Sequence, residues 1–329
     1  MIHKLSTLWR PQAFQGQRQN GNYFEGWFFK IVDASQHHTF AFIPGVYKAQ
    51  NETDSHAFVM VLDGQSHVSS YHPFPISEFR ASTTSLDIRV GPNRFRRDAF
   101  ELDINDAERR VSGRINMGEF TPWPVKPLSP GVMGWYAFVP FMECYHAVIS
   151  FDHEVSGTLN IDNQSISFDG GRGYNEKDWG ISFPSAYVWM QSNHFERPGL
   201  SLMASVANIP WMRGSFRGFI IGLWNNGNLL RFTTYTGAHL EACAITETQV
   251  HIIVSDKKHT LELTAERTQS AVLHAPYDLK MSPKVSESLG SRIRLHLYRR
   301  HHNGFEPILS DVGTNAGLDV NGNLPEIMS

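Results

Sequence analysis

Cysteine, charge and long apolar runs are all scarce in this chain. Its only cysteines, Cys144 and Cys243, lie about a hundred residues apart without a Cys-x-x-Cys spacing, which excludes a disulfide scaffold and a cysteine zinc site. Charged residues make up 19%, below the roughly one quarter usual in globular proteins, while aromatics reach 12%, so disorder is excluded. A net charge of -3 leaves no basic surface for phosphates, and nucleic acid is not an expected partner. No stretch approaches eighteen consecutive apolar residues, so no integral membrane segment is expected, although peripheral contact with a membrane stays open as a route for substrate uptake. The opening MIHKLSTLWRPQAF has no apolar h-region, and the reading is of a cytoplasmic protein. Nucleotide and serine-hydrolase signatures are also missing: GGRG at Gly170 is no Gly-x-Gly-x-x-Gly, and there is neither a P-loop nor a Gly-x-Ser-x-Gly elbow. The pairs His37-His38 and His301-His302 have no companion at ligand spacing, so no metal is expected.

What the chain does contain is short runs rich in Val, Ile, Phe, Tyr and Thr, broken every eight to twelve residues by Gly, Asn, Asp or Pro. That rhythm predicts an all-β protein. Asp63-Gly64 and Asn226-Gly227 sit where hairpin turns are needed, and the best helix candidate, Ser282 to Ser288, is short and lacks an apolar stripe. The chain also resembles itself. Trp27 overlays Trp189 at an offset of 162, Asp63-Gly64 overlays Asn226-Gly227 at 163, and SLDIRV at Ser85 overlays QVHIIV at Gln249 at 164. Three hairpin-like features at a nearly constant offset predict a tandem duplication, with domains at 1–170 and 171–329. Copies of about 160 residues suit an up-and-down antiparallel barrel with a ligand-sized interior. Copy one carries an insertion from Glu119 to Tyr145 with Pro122, Pro124, Pro127 and Pro130, which predicts a loop or lid. GYNEKDWG then falls between the copies, as a linker or as part of the crevice between barrels.

Alternation along strands selects the candidate residues. In YVWMQSNHF, Tyr187, Trp189, Gln191, Asn193 and Phe195 share one face, a pattern suited to a barrel interior that holds an apolar ligand with a polar head, or else to amides that satisfy backbone groups at a barrel end. In YFEGWFFKI, Glu25 lies among aromatics on both faces; it is expected either to pair with a cation or to have its pKa raised until it donates a proton. Tyr174, Glu176, Lys177, Asp178 and Trp179 place charges beside aromatics, a plausible acid with its orienting groups. Glu143, Tyr145 and His146 form a third cluster, with Glu143 and Tyr145 on one face and a structural hydrogen bond as the alternative role.

FEGWFFK at Phe24 to Lys30 and GYNEKDWGISFPSAYVWMQSNHF at Gly173 to Phe195 resemble the signature blocks of the tocopherol cyclase family. Asp178 stands where the family has Asn, and Ser192 where it has Cys. The resemblance implies a tandem pair of lipocalin-like barrels and a cofactor-free ring closure, in which a prenylated hydroquinone adds its phenolic oxygen across the nearest prenyl double bond to give a chromanol. Such chemistry needs an acid for the alkene, aromatic faces for the tertiary cation and an acceptor for the phenolic proton. Glu176 or Asp178 is the expected acid, with Glu25 and Tyr174 as further catalytic candidates. Trp27, Trp179 and Trp189 are the expected cation shield, Gln191 and Asn193 the anchor for the head group, and Glu143 and His146 further substrate contacts. The partner is then a hydrophobic small molecule. Two alternatives stay open: water addition, as in the similar carotenoid 1,2-hydratases, and a non-catalytic carrier of a prenyl lipid.

Overall fold

Asn226 and Gly227 both have positive φ, 45° and 90°, the backbone a two-residue turn needs if its strands are to keep their right-handed twist. The turn joins Gly214–Asn225 to Asn228–Thr233, and hairpins of this kind build almost the whole chain. The structure, a computed structural model, describes residues 7–139, 142–211, 214–277, 280–302 and 304–329. Among them, regular structure is antiparallel strand joined by short 3-10 turns, apart from a helical stretch at Thr7 and Leu8.

The described strands form two large sheets with the same order. In the first, a meander runs from Tyr23–Val32 through Thr39–Lys48 and His56–Asp63 to Val68–Pro75. On its other side Tyr23–Val32 pairs with Gly171–Gly180, followed by Cys144–Ile161, Arg110–Met117 and Ala99–Asn105. In the second, Ala186–Ser192 starts the meander through Leu200–Trp211, Gly214–Asn225 and Asn228–Thr233. Its other neighbour is Gly304–Gly322, followed by Lys280–His301, His259–Glu266, Gln249–Ser255 and His239–Ile245. Tyr23–Val32 and Ala186–Ser192 therefore hold equivalent places, in keeping with the internal repeat. Each sheet curls around its own apolar core, and the fold is a tandem pair of lipocalin-like antiparallel barrels.

The compact units are Met1–Phe183 with Val272–Lys284, and Pro184–Ala271 with Val285–Ser329. The expected division at 170/171 cuts the first sheet, because GYNEKDWG is no linker: Gly171–Gly180 is an inner strand, paired on both sides. The helix candidate Ser282–Ser288 is also corrected. It lies inside the strand Lys280–His301, as expected of a segment with no helical stripe to bury. Within the first unit, Ser69 Oγ donates to the Val272 carbonyl at 2.6 Å and the Tyr71 ring lies 4.2 Å from that of His274. In the proline-rich insertion, Trp123, Val132 and Met133 are buried, and Trp9 Nε1 donates to the Pro127 carbonyl at 3.1 Å. The segment is packed down, with Val125–Lys126 paired to Ser129–Pro130; residues 140 and 141 lie outside the described part.

Aromatic side chains fill the centre of the first barrel. Trp27, Phe29, Phe42, Phe95 and Phe100 are each 0% exposed, with Phe29 and Phe95 centroids 5.1 Å apart. Burying each such ring contributes about 2–3 kcal/mol, so packing holds the volume expected to receive a ligand. In the second barrel, Val188 and Met190 point into the core. Strand alternation then puts Tyr187, Trp189 and Gln191 on the opposite face, correcting their expected place in a barrel interior.

Candidate active site

Alternation along Gly171–Gly180 separates two sets of polar groups. Asn175, Lys177 and Trp179 turn toward the first core, where Asn175 Nδ2 approaches Met117 Sδ at 3.8 Å, while Tyr174, Glu176 and Asp178 turn away.

On the core side, Lys177 Nζ lies 2.5 Å from Glu25 Oε1, and both side chains are fully buried. Glu25 also accepts from the backbone N–H of Gln15 and Gly16, each at 2.9 Å, and from the Tyr23 hydroxyl. Lys177 donates to the carbonyls of Ala13 at 2.5 Å and Pro11 at 3.1 Å. Burial pushes the Lys177 pKa down, and the Glu25 charge opposes the change. Burial of Tyr23, then the Glu25 carboxylate, pushes the Tyr23 phenol up. The ammonium stands 4.8 Å from the Trp27 ring and 4.5 Å from the Trp179 ring. Two of the three tryptophans expected to shield a carbocation thus already cover a lysine, and Trp27 Nε1 is spent on the Gln12 carbonyl at 2.9 Å. Glu25 realises the cation-pairing outcome: its carboxylate is filled by hydrogen bonds that fasten residues 11–16 to the barrel.

The other face carries the acid–base cluster. His146 is the direct cross-strand partner of Asp178, and its Nδ1 lies 2.9 Å from Asp178 Oδ1. Its Nε2 is buried and stands 3.6 Å from Glu176 Oε2, beyond hydrogen-bond reach. Tyr174 donates its hydroxyl to that same Oε2 at 2.5 Å. Burial pulls the His146 pKa down, but the charges of Asp178 and Glu176 and the Asp178 hydrogen bond prevail and lift it to about 9. Burial, then the Glu176 charge, pushes the Tyr174 phenol well up, so it remains a neutral donor. At neutral pH His146 is an imidazolium beside Glu176 and Asp178, with the Tyr174 phenol bonded to Glu176. The donor atoms of His146, Glu176 and Asp178 lie within 4.8 Å of one another, so the set could also hold a metal ion. Of the expected site residues, the structure therefore joins Tyr174, Glu176, Asp178 and His146. It leaves Glu143 apart, accepting from Ser182 Oγ at 3.3 Å, and Tyr145 stacked on Trp179 at 5.6 Å.

In the second unit, Trp189, Gln191 and Asn193 are buried, and Trp189 lies against Gly317, where an added Cβ would come within 2.6 Å of the ring. Asn193 Oδ1 meets His194 Nδ1 at 3.0 Å. Asp319 is the cross-strand partner of both Trp189 and Glu287, and Tyr187 donates its hydroxyl to Asp319 at 3.4 Å. Sequence reasoning missed these two buried carboxylates, since only strand register joins positions 32 residues apart.

The family model for tocopherol cyclase-like proteins matches residues 119–322. The chain belongs to the tocopherol cyclase-like family. The chloroplastic tocopherol cyclase of Zea mays is 26% identical over 208 residues, covering 60% of this chain and 43% of the maize protein. The chain thus matches less than half the length of that relative. Among solved structures, CghA aligns with a TM-score of 0.55 at 9% identity, over 93% of each chain. Kievitone hydratase from Nectria haematococca aligns with 0.51 at 12% identity, over 95% of this chain and 94% of its own. These likenesses show the fold. The tocopherol cyclase-like span contains His146, Tyr174, Glu176, Asp178, Trp189, Gln191 and Asn193, and leaves out Glu25 and Trp27. Among the described residues, no helix is long and apolar enough to cross a membrane.

Proposed function

We propose that the protein is a cyclase of prenylated hydroquinones, which starts ring closure by protonating a prenyl double bond without a cofactor. The observation that carries this reading is the His146 imidazolium held between Glu176 and Asp178, with Tyr174 bonded to Glu176. In the proposed reaction substrate binding closes the 3.6 Å gap between His146 Nε2 and Glu176 Oε2, and the stored proton passes across it and on to the less substituted alkene carbon. The tertiary cation left behind faces a cluster that has become more negative by one charge, which stabilises it where water cannot. The phenolic oxygen then forms the C–O bond, and its proton returns to Glu176, so substrate and product are isomers. The hydrophobic substrate class is supported by family membership.

The test compares wild type with Glu176→Gln on a reduced prenylated hydroquinone, measuring turnover and ligand affinity separately. Loss of a positioned acid is expected to lower turnover by about 10²–10⁴-fold while affinity is kept. A wild type that binds the quinol and never turns it over would replace the cyclase with a carrier.

A further inference from the structure

A second cluster lies in the first unit, independent of the acid–base group. Ser70 and His72 are two residues apart on the strand Val68–Pro75 and therefore share a face, which the partners Val61 and Val59 place over the core. Ser70 Oγ is 2.8 Å from His72 Nε2, and His72 Nδ1 is 2.5 Å from Asp106 Oδ2. An ionised carboxylate only accepts, so Nδ1 carries the proton, and in the neutral ring Nε2 must accept from the Ser70 hydroxyl. Asp106 is held in turn, its Oδ1 accepting the backbone N–H of Glu108 at 2.9 Å and of Arg109 at 3.1 Å. This is the proton arrangement of a serine nucleophile, reached without the Gly-x-Ser-x-Gly elbow.

A second observation points to a ligand. The Arg109 side chain is only 9% exposed; Nε donates to Asp162 at 2.9 Å and Nη2 to Asp63 at 3.3 Å, while Nη1 is buried without an acceptor. A buried guanidinium N–H left unsatisfied is costly, and an acceptor oxygen would satisfy it.

We propose that Ser70, His72 and Asp106 form an acyl-transfer site for small esters. As Oγ bonds to the acyl carbon, its proton moves to His72 Nε2. The ester C–O bond then breaks, and the leaving alkoxide takes that proton. Water attacks the acyl-serine next, giving one proton to Nε2, which returns it to Oγ. Ser70 is 8% exposed, so only small electrophiles reach it.

The full chain should be treated with a small alkyl fluorophosphonate and, separately, with p-nitrophenyl acetate, followed by intact mass measurement and peptide mapping. A single adduct on Ser70 is expected, with loss of fluoride from the first reagent and a burst of one equivalent from the second. Ser70→Ala should abolish the adduct. Asp106→Asn, at a partly exposed position that spares the strand, should slow it by at least about 10²-fold with an unchanged thermal unfolding midpoint. Absence of an adduct in wild type, an adduct elsewhere, or an unchanged rate in Asp106→Asn would overturn the proposal and leave the three residues as a hydrogen-bonded plug.

Discussion

His146 differs from the other titratable groups of the cluster in that its ordinary pKa, 6.5, and its raised one, about 9, bracket the working range of most proteins. A histidine whose pKa is higher folded than unfolded stabilises the fold fully below about 6.5, and the contribution is gone above about 9. Turnover and thermal stability are therefore both expected to decline as pH rises through about 9. His146→Gln should lose that limb of both profiles; an unchanged limb would assign it to another group. Glu25 and Glu176 invite the opposite comparison. Both are buried carboxylates beside a tyrosine, but Glu25 is filled by Lys177 and backbone N–H groups. Glu25→Gln leaves the buried Lys177 unpaired and should cost about 3–5 kcal/mol in urea unfolding. Glu25→Gln with Lys177→Met should recover part of that loss, which a catalytic role for Glu25 would not explain.

At the scale of elements, the site depends on how closely Gly171–Gly180 approaches Cys144–Ile161. Gly180 has φ +155°, and an added Cβ would stand 2.0 Å from the Glu143 carbonyl oxygen. Gly180→Ala should force the strands apart at this end, lowering stability by about 1–3 kcal/mol. Because His146 and Asp178 are paired two positions further in, the upper limb of the pH profile should move down toward 6.5 as their contact loosens. Urea unfolding and the pH profile read the two effects separately. The faces of individual strands were legible beforehand: Tyr23, Glu25, Trp27 and Phe29 do share one side, and so do Tyr174, Glu176 and Asp178. Which face meets a core was not legible where both are apolar or aromatic, as with Trp189 and Gln191. Nor was register, because the pairing of His146 with Asp178 is set by hairpins far from either residue.

At the scale of the whole molecule, the two-barrel architecture could be read from turn spacing and from the offsets that align Trp27 with Trp189, since a duplicated meander repeats its turns even after its side chains have diverged. The end of the first unit could not, because GYNEKDWG is too polar to resemble an inner strand until Tyr23–Val32 and Cys144–Ile161 flank it. The proposed reaction turns on one event, transfer of a solvent-derived proton to an alkene carbon. The most direct measurement is mass spectrometry of a reduced prenylated hydroquinone after incubation with the protein in deuterated water. The account expects a cyclised product carrying one new carbon-bound deuterium and no added oxygen, formed by wild type and not by Glu176→Gln. A product that has gained the elements of water, or a cyclised product without deuterium, would contradict it.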